Sequence, residues 1–241
     1  MILVRSILFN ILFYTFTLLV GVFGLPSFLF GRKAVQKVSR FWSGTLVAMA
    51  RVVAGIDVEL RGTEHLPKGG AIVAAKHQSA WETLYFTELL DRPAAVMKQE
   101  LVKVPIVGPY MRAMEMIPVD RKAGAKALRQ MVEDARAAAA TGRAILIFPQ
   151  GTRVAPGAKA PYHPGTAALY VGLGLPVIPV ALNSGMYWSR NAFWKRPGRI
   201  VVEFLPAIPP GLDRKVFMAR LQETLETETA RLEAEARAAG A

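Results

Sequence analysis

The chain reads as an α/β domain with a mainly parallel sheet flanked by helices, preceded by an N-terminal helical membrane anchor. Two observations predict this. From Ile56 onward, short apolar runs alternate with stretches of helical periodicity. Before it, Ser6 to Phe30 (SILFNILFYTFTLLVGVFGLPSFLF) contains no charged side chain. Alternation of strands and helices favours βαβ units, and a long uncharged run favours lipid. The division that follows is residues 1–55 as a membrane-associated helical segment and 56–241 as the α/β domain.

As one helix the uncharged stretch would span roughly 37 Å, enough for a hydrocarbon core of about 30 Å. Arg5 precedes it and Arg32, Lys33, Lys37 and Arg40 follow. The apolar part is too long for a signal peptide, and no small-x-small cleavage site follows it cleanly. Gly21, Gly24 and Pro26 predict a bend in its second half, so a straight span and a hairpin dipping into one leaflet are both open. Positive charge is denser on the C-terminal side, which favours that side as cytoplasmic. Lys37 to Gly55 carries Val38, Phe41, Trp42, Leu46, Ala50 and Val53 at helical spacing. That pattern suits a helix on headgroups or a helix facing the core.

The strands expected next are 57–60, 71–75, 94–97, 116–119, 144–148, 177–182 and 199–204. Helices are expected over 81–90, 122–140, 165–174 and 213–237, the last repeating Phe217, Leu221 and Leu225. No repeat of 20–50 residues and no long linker interrupts them. The 241 residues are 52% hydrophobic with four Trp, which describes a folded protein with a core. With a net charge of +12 the partner is expected to be anionic: lipid, nucleic acid or a phosphorylated small molecule. The absence of cysteine excludes disulfides, thiolate catalysis and cysteine-based zinc sites.

Parallel sheets bind ligands beyond the C-terminal ends of their strands. At those ends stand Lys76-His77, Lys98, Asp120-Arg121 and Pro149-Gln150-Gly151-Thr152-Arg153, a convergence of cations around one of only three histidines. His77 and Glu82 are five apart, which on a helix places them about 140° apart. They can meet if His77 follows the strand, Gln78-Ser79 turn, and the helix begins near Ala80. Ser79-Ala80-Trp81-Glu82 is also a capping box, and a carboxylate with about four acceptor sites can serve both a cap and an imidazole. A His held in one tautomer by a carboxylate is a general base near neutral pH. The competing reading is a polar loop histidine before a capped helix.

Ser79 lacks the G-x-S-x-G setting of a nucleophile elbow, found nowhere in the chain. His65 lies in a polar turn. His163 is within reach of the site, though a local structural role is the simpler reading, and no spacing resembles a metal site. In FPQGTR (148–153), Gly151 allows close backbone approach to a ligand, and Thr152 and Arg153 offer a hydroxyl and a guanidinium to a phosphate. A plain Pro-Gly turn after a strand is the alternative. Lys98 and Arg121 add positive charge at neighbouring strand ends.

Together these motifs resemble the glycerolipid acyltransferase family, specifically bacterial 1-acyl-sn-glycerol-3-phosphate acyltransferases of the PlsC type. The family's His-x-x-x-x-Asp is matched by His77 to Glu82, its second motif, often ending in Ile-Asp-Arg, by Met116 to Arg121, and its Phe-Pro-Glu-Gly-Thr-Arg by Phe148 to Arg153. Its apolar, Pro-containing fourth motif is matched by Val177 to Leu182, and its Lys-x-Glu-Leu segment by Lys98 to Leu101. The resemblance covers roughly residues 56–205 and departs at Glu82, where Asp is usual, and at Gln150, where Glu is usual. It implies a glycerol-3-phosphate acyltransferase-like fold with His77 as general base, oriented by Glu82. It further implies substrate binding by Lys98, Arg121, Gln150, Gly151, Thr152 and Arg153.

The implied reaction moves a fatty acyl group from acyl-CoA or acyl-carrier protein to the sn-2 hydroxyl of lysophosphatidate. Phosphatidate forms, with no cofactor or metal beyond the donor. The implied partners are the bilayer, lysophosphatidate and the donor, with no nucleic acid, at the cytoplasmic face of a bacterial inner membrane. Two other readings are an acyltransferase for another lysophospholipid or lyso-aminolipid, and a non-catalytic basic protein binding membrane or nucleic acid.

Overall fold

The structure, a computed structural model, describes residues 1–120 and 123–240. Its first helix, α1 (Ile2–Phe23), stops where Gly24 and Pro26 interrupt the pattern, and a 3-10 turn over Leu25–Phe30 reverses the chain into α2 (Arg32–Met49). The N-terminal segment is therefore a helical hairpin. A π-turn over Ala50–Ala54 ends at Gly55, whose φ of +74° is a left-handed conformation that favours glycine.

Contacts with other elements run from Ser6 to Gly21 of α1. Ser6 and Phe9 are buried, Trp42 of α2 donates through Nε1 to Thr17 Oγ1 at 3.1 Å, and the Tyr110 hydroxyl donates to the Gly21 carbonyl at 3.3 Å. Its outer face leaves Leu3, Ile11, Leu18 and Phe23 exposed. Phe9, Leu46 and Ala50 share one core with Trp81, Phe86, Ile200 and Phe204, so the hairpin is packed onto the α/β unit.

Seven strands form one sheet: β1 (Ile56–Arg61), β2 (Ile72–Ala75), β3 (Ala94–Lys98), β4 (Ile117–Val119), β5 (Ile145–Ile147), β6 (Val177–Leu182) and β7 (Gly198–Phe204). The order is β1-β7-β6-β2-β5-β3-β4. All pairings are parallel except β6 with β7, so β7 and its parallel neighbour β1 run against the other five. The C-terminal ends of β6, β2, β5, β3 and β4 consequently share one edge.

The remaining helices are α3 (Trp81–Leu89), α4 (Val107–Ala113), α5 (Gly124–Ala140), α6 (Pro164–Leu173) and α7 (Arg214–Ala238). The strands' two-residue alternation divides the interior into layers. Val73, Ala75 and Leu146 face the core built with α1–α3, while Ile72, Ala74, Ile145 and Ile147 face the one built with α5–α7. In the second layer Tyr170 of α6 stacks on Phe217 of α7 at 3.8 Å, tying α7 beneath the sheet. The seven expected strands are all present, and α4 is additional. The helix expected from 122 begins at Gly124.

Candidate active site

After Ala75 the side chains of Lys76, His77 and Gln78 alternate in direction. Lys76, counted in the sequence among the strand-end cations of the site, points away from it. Its ammonium lies 2.6 and 2.7 Å from the two carboxylate oxygens of Glu226 on α7, fully inside the protein. The Tyr162 hydroxyl donates to the same carboxylate at 2.8 Å, and burial and the Glu226 charge raise the phenol's pKa well above its usual value. Gln78 also points back: its Nε2 donates to Glu233 of α7 at 2.8 Å, and its carbonyl oxygen accepts from the Gly185 N–H at 2.9 Å. Between these two anchors His77 faces the opposite way.

The turn into α3 is built around Glu82, which is wholly buried. Its Oε1 accepts from the backbone N–H groups of Gln78 (2.6 Å) and Ser79 (2.7 Å) and lies 2.9 Å from His77 Nδ1. Its Oε2 accepts from the Ser184 hydroxyl at 2.7 Å. Ser79 Oγ in turn accepts from the Trp81 N–H at 3.1 Å. The cap and the histidine contact thus use one carboxylate simultaneously, and the longer Glu side chain reaches all four donors. Two backbone amides leave Oε1 acting as an acceptor, so Nδ1 carries the proton and Nε2 is left with its lone pair. The imidazole also stacks on Phe148 at 4.1 Å, with its side chain 15% exposed.

His77 opens into a cavity of about 800 Å³ reaching from the strand ends to α1 and α4. Lys98, Gly151, Thr152 and Arg153 line it, as the strand-end rule anticipates. Gly151 has φ +62°, the left-handed turn that lets the backbone double back after β5. Arg121 lies outside the described residues; its neighbour Asp120 lines the wall. Gln150 is buried and its amide has no hydrogen-bond partner among the described residues, so it stands behind the wall that Gly151 to Arg153 form. His163 lines the cavity at the start of α6, held by its N–H to the Pro149 carbonyl at 2.8 Å. His65 is in a 3-10 turn, 3.6 Å from Glu64.

Several contributors escape a local reading of sequence. Ser184, Glu226 and Glu233 are more than a hundred residues from the strand end they support. Ser184 had a signal, since it follows β6 and obeys the same strand-end rule. Arg190 also lines the cavity and donates to the Arg153 carbonyl at 3.2 Å. The remaining wall is apolar and rich in methionine: Met97, Met111, Met114, Met116 and Met131 all contribute. The geometry supplies a histidine with a free Nε2, nearby cations for an anion, and unbranched apolar volume beside both.

Comparison with known proteins gives a consistent outcome. The sequence model of the family described as Acyltransferase matches residues 57–183. The 1-acyl-sn-glycerol-3-phosphate acyltransferase of Pseudomonas aeruginosa is 34% identical over 207 residues, covering 85% of this chain and 80% of the relative. The alpha form of that enzyme from Mus musculus is 31% identical over 167 residues, covering 68% of this chain and 59% of the relative. The crystal structure of the 1-acyl-sn-glycerophosphate acyltransferase PlsC from Thermotoga maritima superposes with a TM-score of 0.78 at 24% identity, over 97% of this chain and 98% of that one. It has the same fold.

Proposed function

The chain belongs to the acyltransferase family, and from that premise we propose that it acylates the sn-2 hydroxyl of lysophosphatidate to give phosphatidate. The observation that carries the chemistry is the His77–Glu82 contact at 2.9 Å, which leaves Nε2 facing a cavity that Lys98 and Arg153 also line. His77 Nε2 takes the proton of the acceptor hydroxyl as its oxygen attacks the thioester carbonyl. Glu82 stabilises the imidazolium that forms. The tetrahedral adduct collapses with cleavage of the carbon–sulfur bond, and the departing thiolate takes the proton from Nε2. The acyl group passes directly between substrates, with no enzyme nucleophile and no cofactor.

Lys98 and the planar fork of Arg153 hold the acceptor phosphate, supported by Thr152, the Gly151 backbone and Arg121. The acyl donor is acyl-CoA or acyl-carrier protein; both present a thioester on a flexible arm. The enzyme works on a bilayer with no nucleic-acid partner, at the cytoplasmic face of a bacterial inner membrane. Of the two dispositions open to the N-terminus, the hairpin in one leaflet is favoured. A helix joined to the domain near both its ends, at Ser6 and at Gly21, cannot also leave it to cross the bilayer.

A matrix assay of both donors against lysophosphatidate, glycerol-3-phosphate, other lysophospholipids and a lyso-aminolipid tests this, with His77→Ala beside the wild type. Lysophosphatidate is expected to be the preferred acceptor and His77→Ala to lose transfer while its thermal midpoint holds. Transfer to a phosphate-free acceptor but not to lysophosphatidate would overturn the acceptor assignment. Activity surviving in His77→Ala would overturn the mechanism.

A further inference from the structure

The connection between β6 and β7 holds the exposed aromatic pair Phe193 and Trp194, 48% and 49% accessible and in edge contact at 5.6 Å. The loop is ordered by its own hydrogen bonds. The Arg196 N–H bonds the Tyr187 carbonyl at 2.8 Å and closes the base, and the Ala192 N–H bonds Ser189 at 3.2 Å. Asn191 at the tip takes φ +55°, a conformation asparagine tolerates. A rigid loop holding two large rings half in water calls for an explanation other than core packing.

The loop is fastened to α1 by polar contacts. Asn10 Nδ2 donates to the Phe193 carbonyl at 2.9 Å and to the Ser6 carbonyl at 2.8 Å, and the Lys195 N–H donates to Ser6 Oγ at 3.0 Å. Leu3, Ile7, Asn10 and Tyr14 lie three and four apart and so form one stripe on α1. Leu3, Ile7 and Tyr14 are exposed. Asn10 is the one amide in this stripe, and its amide hydrogens are both taken by backbone carbonyls, while Tyr14 is an amphipathic ring suited to the interface.

The loop's lysine is handled the same way. Lys195 is buried, with its ammonium 5.0 Å from the Trp188 ring and 5.8 Å from that of Phe9, and it donates to the Ala192 carbonyl at 2.8 Å. Burial lowers its pKa to about 8. Arg190 and Arg196, which flank the rings along the chain, are exposed. Aromatics outward, the lysine tucked under and arginines at the rim form an arrangement suited to the bilayer interface, where Trp rings settle and arginines meet lipid phosphates.

We propose that residues 190–196 are a second membrane-contacting element, seating Phe193 and Trp194 at the headgroup level of an anionic bilayer beside the outer face of α1. The proposal rests on the membrane reading given above. The loop also carries Arg190, which lines the reaction cavity next to Arg153. Seating the rings in the interface therefore presses the cavity's cationic wall toward the headgroups, where a lysophospholipid phosphate resides.

The test uses full-length protein and sedimentation with vesicles of pure phosphatidylcholine or phosphatidylcholine with phosphatidylglycerol. F193S/W194S is expected to lower vesicle partitioning on the order of tenfold from the lost apolar contact, with turnover on substrate in detergent micelles retained. R196Q should weaken binding to the anionic vesicles alone. Brominated lipid should quench the wild type more than W194F, a reading that needs no destabilising substitution. Unchanged partitioning in the double variant, or equal quenching in wild type and W194F, would overturn the proposal. So would unchanged vesicle binding with a selective loss of turnover on acyl-carrier protein, which would assign the loop to that acidic donor. Failure of the wild type itself to bind vesicles would instead overturn the underlying membrane reading.

Discussion

Glu82→Gln separates the two duties of this carboxylate. The amide oxygen of glutamine can replace Oε1 and keep the Gln78 and Ser79 N–H groups and His77 Nδ1. The amide NH₂ then faces Ser184, whose hydroxyl turns to accept. The Ser184 hydroxyl hydrogen loses its acceptor in the exchange and charged hydrogen bonds become neutral ones, so the structural cost is about 1–3 kcal/mol. For a chain of this size that corresponds to roughly 2–10 °C in thermal midpoint. The catalytic cost is of another order. The imidazolium and the carboxylate sit in hydrogen-bond contact at 2.9 Å. With charge centres about 4 Å apart and an effective dielectric of about 20, their attraction is about 4 kcal/mol. Its loss lowers the rate on the order of a thousandfold. Thiol release from the acyl donor with lysophosphatidate as acceptor, read as kcat and KM, checks this. The expected outcome is a kcat lower by about 10²–10³ with KM within a few-fold, because Glu82 lies behind the histidine and touches no substrate. Turnover within threefold of wild type would refute the reasoning and leave Glu82 as a helix cap alone.

Ser184→Ala removes the donor to Glu82 Oε2 while leaving the charge in place, so kcat should fall by about tenfold; Ser184→Thr should restore it. A lower thermal midpoint with unchanged kcat would mark the serine as structural only. Arg153→Lys keeps the charge and loses the fork, so KM for lysophosphatidate should rise by about tenfold with kcat less affected. An unchanged KM would remove Arg153 from the phosphate site. Lys195 has a pKa lowered by burial from 10.5 to about 8. Below pH 8 both folded and unfolded states hold its proton and the burial cost is fully present. Between about pH 8 and 10.5 the unfolded state holds more protons, so this group's contribution to stability rises with pH. Lys195→Met should therefore gain most over wild type at pH 7, and the advantage should shrink toward pH 10 by at most about 3 kcal/mol. A pH-independent difference in thermal unfolding would show that the lysine carries no such cost.

What sequence could and could not disclose follows from the range of the forces involved. The strands and long helices were legible because side-chain alternation and 3.6-residue periodicity are local, and the bend at Gly24–Pro26 was legible because those residues limit a helix wherever they stand. The short helix α4 was hidden, since Val107–Ala113 includes both Gly108 and Pro109. The reversal of β7 and β1 was hidden for a different reason, because a strand's own pattern does not state its direction. At the site, His77 and Glu82 could be paired from five residues of chain and a capping rule. Lys76 was misjudged because its sequence position beside His77 says nothing of facing: an extended backbone sends neighbours to opposite sides. That alternation makes the site dependent on α7. Of three consecutive residues, the outer two are gripped by Glu226 and Glu233, seven apart and hence on one face of the helix. The middle one is left with a single direction to face. The histidine's orientation is therefore set from both ends, by a carboxylate five residues away and by two more some 150 residues away. The matched family region, 57–183, stops short of those two. A His–Glu pair can be read from a short segment, but the fixed orientation that the proposed base requires is supplied by the tertiary fold.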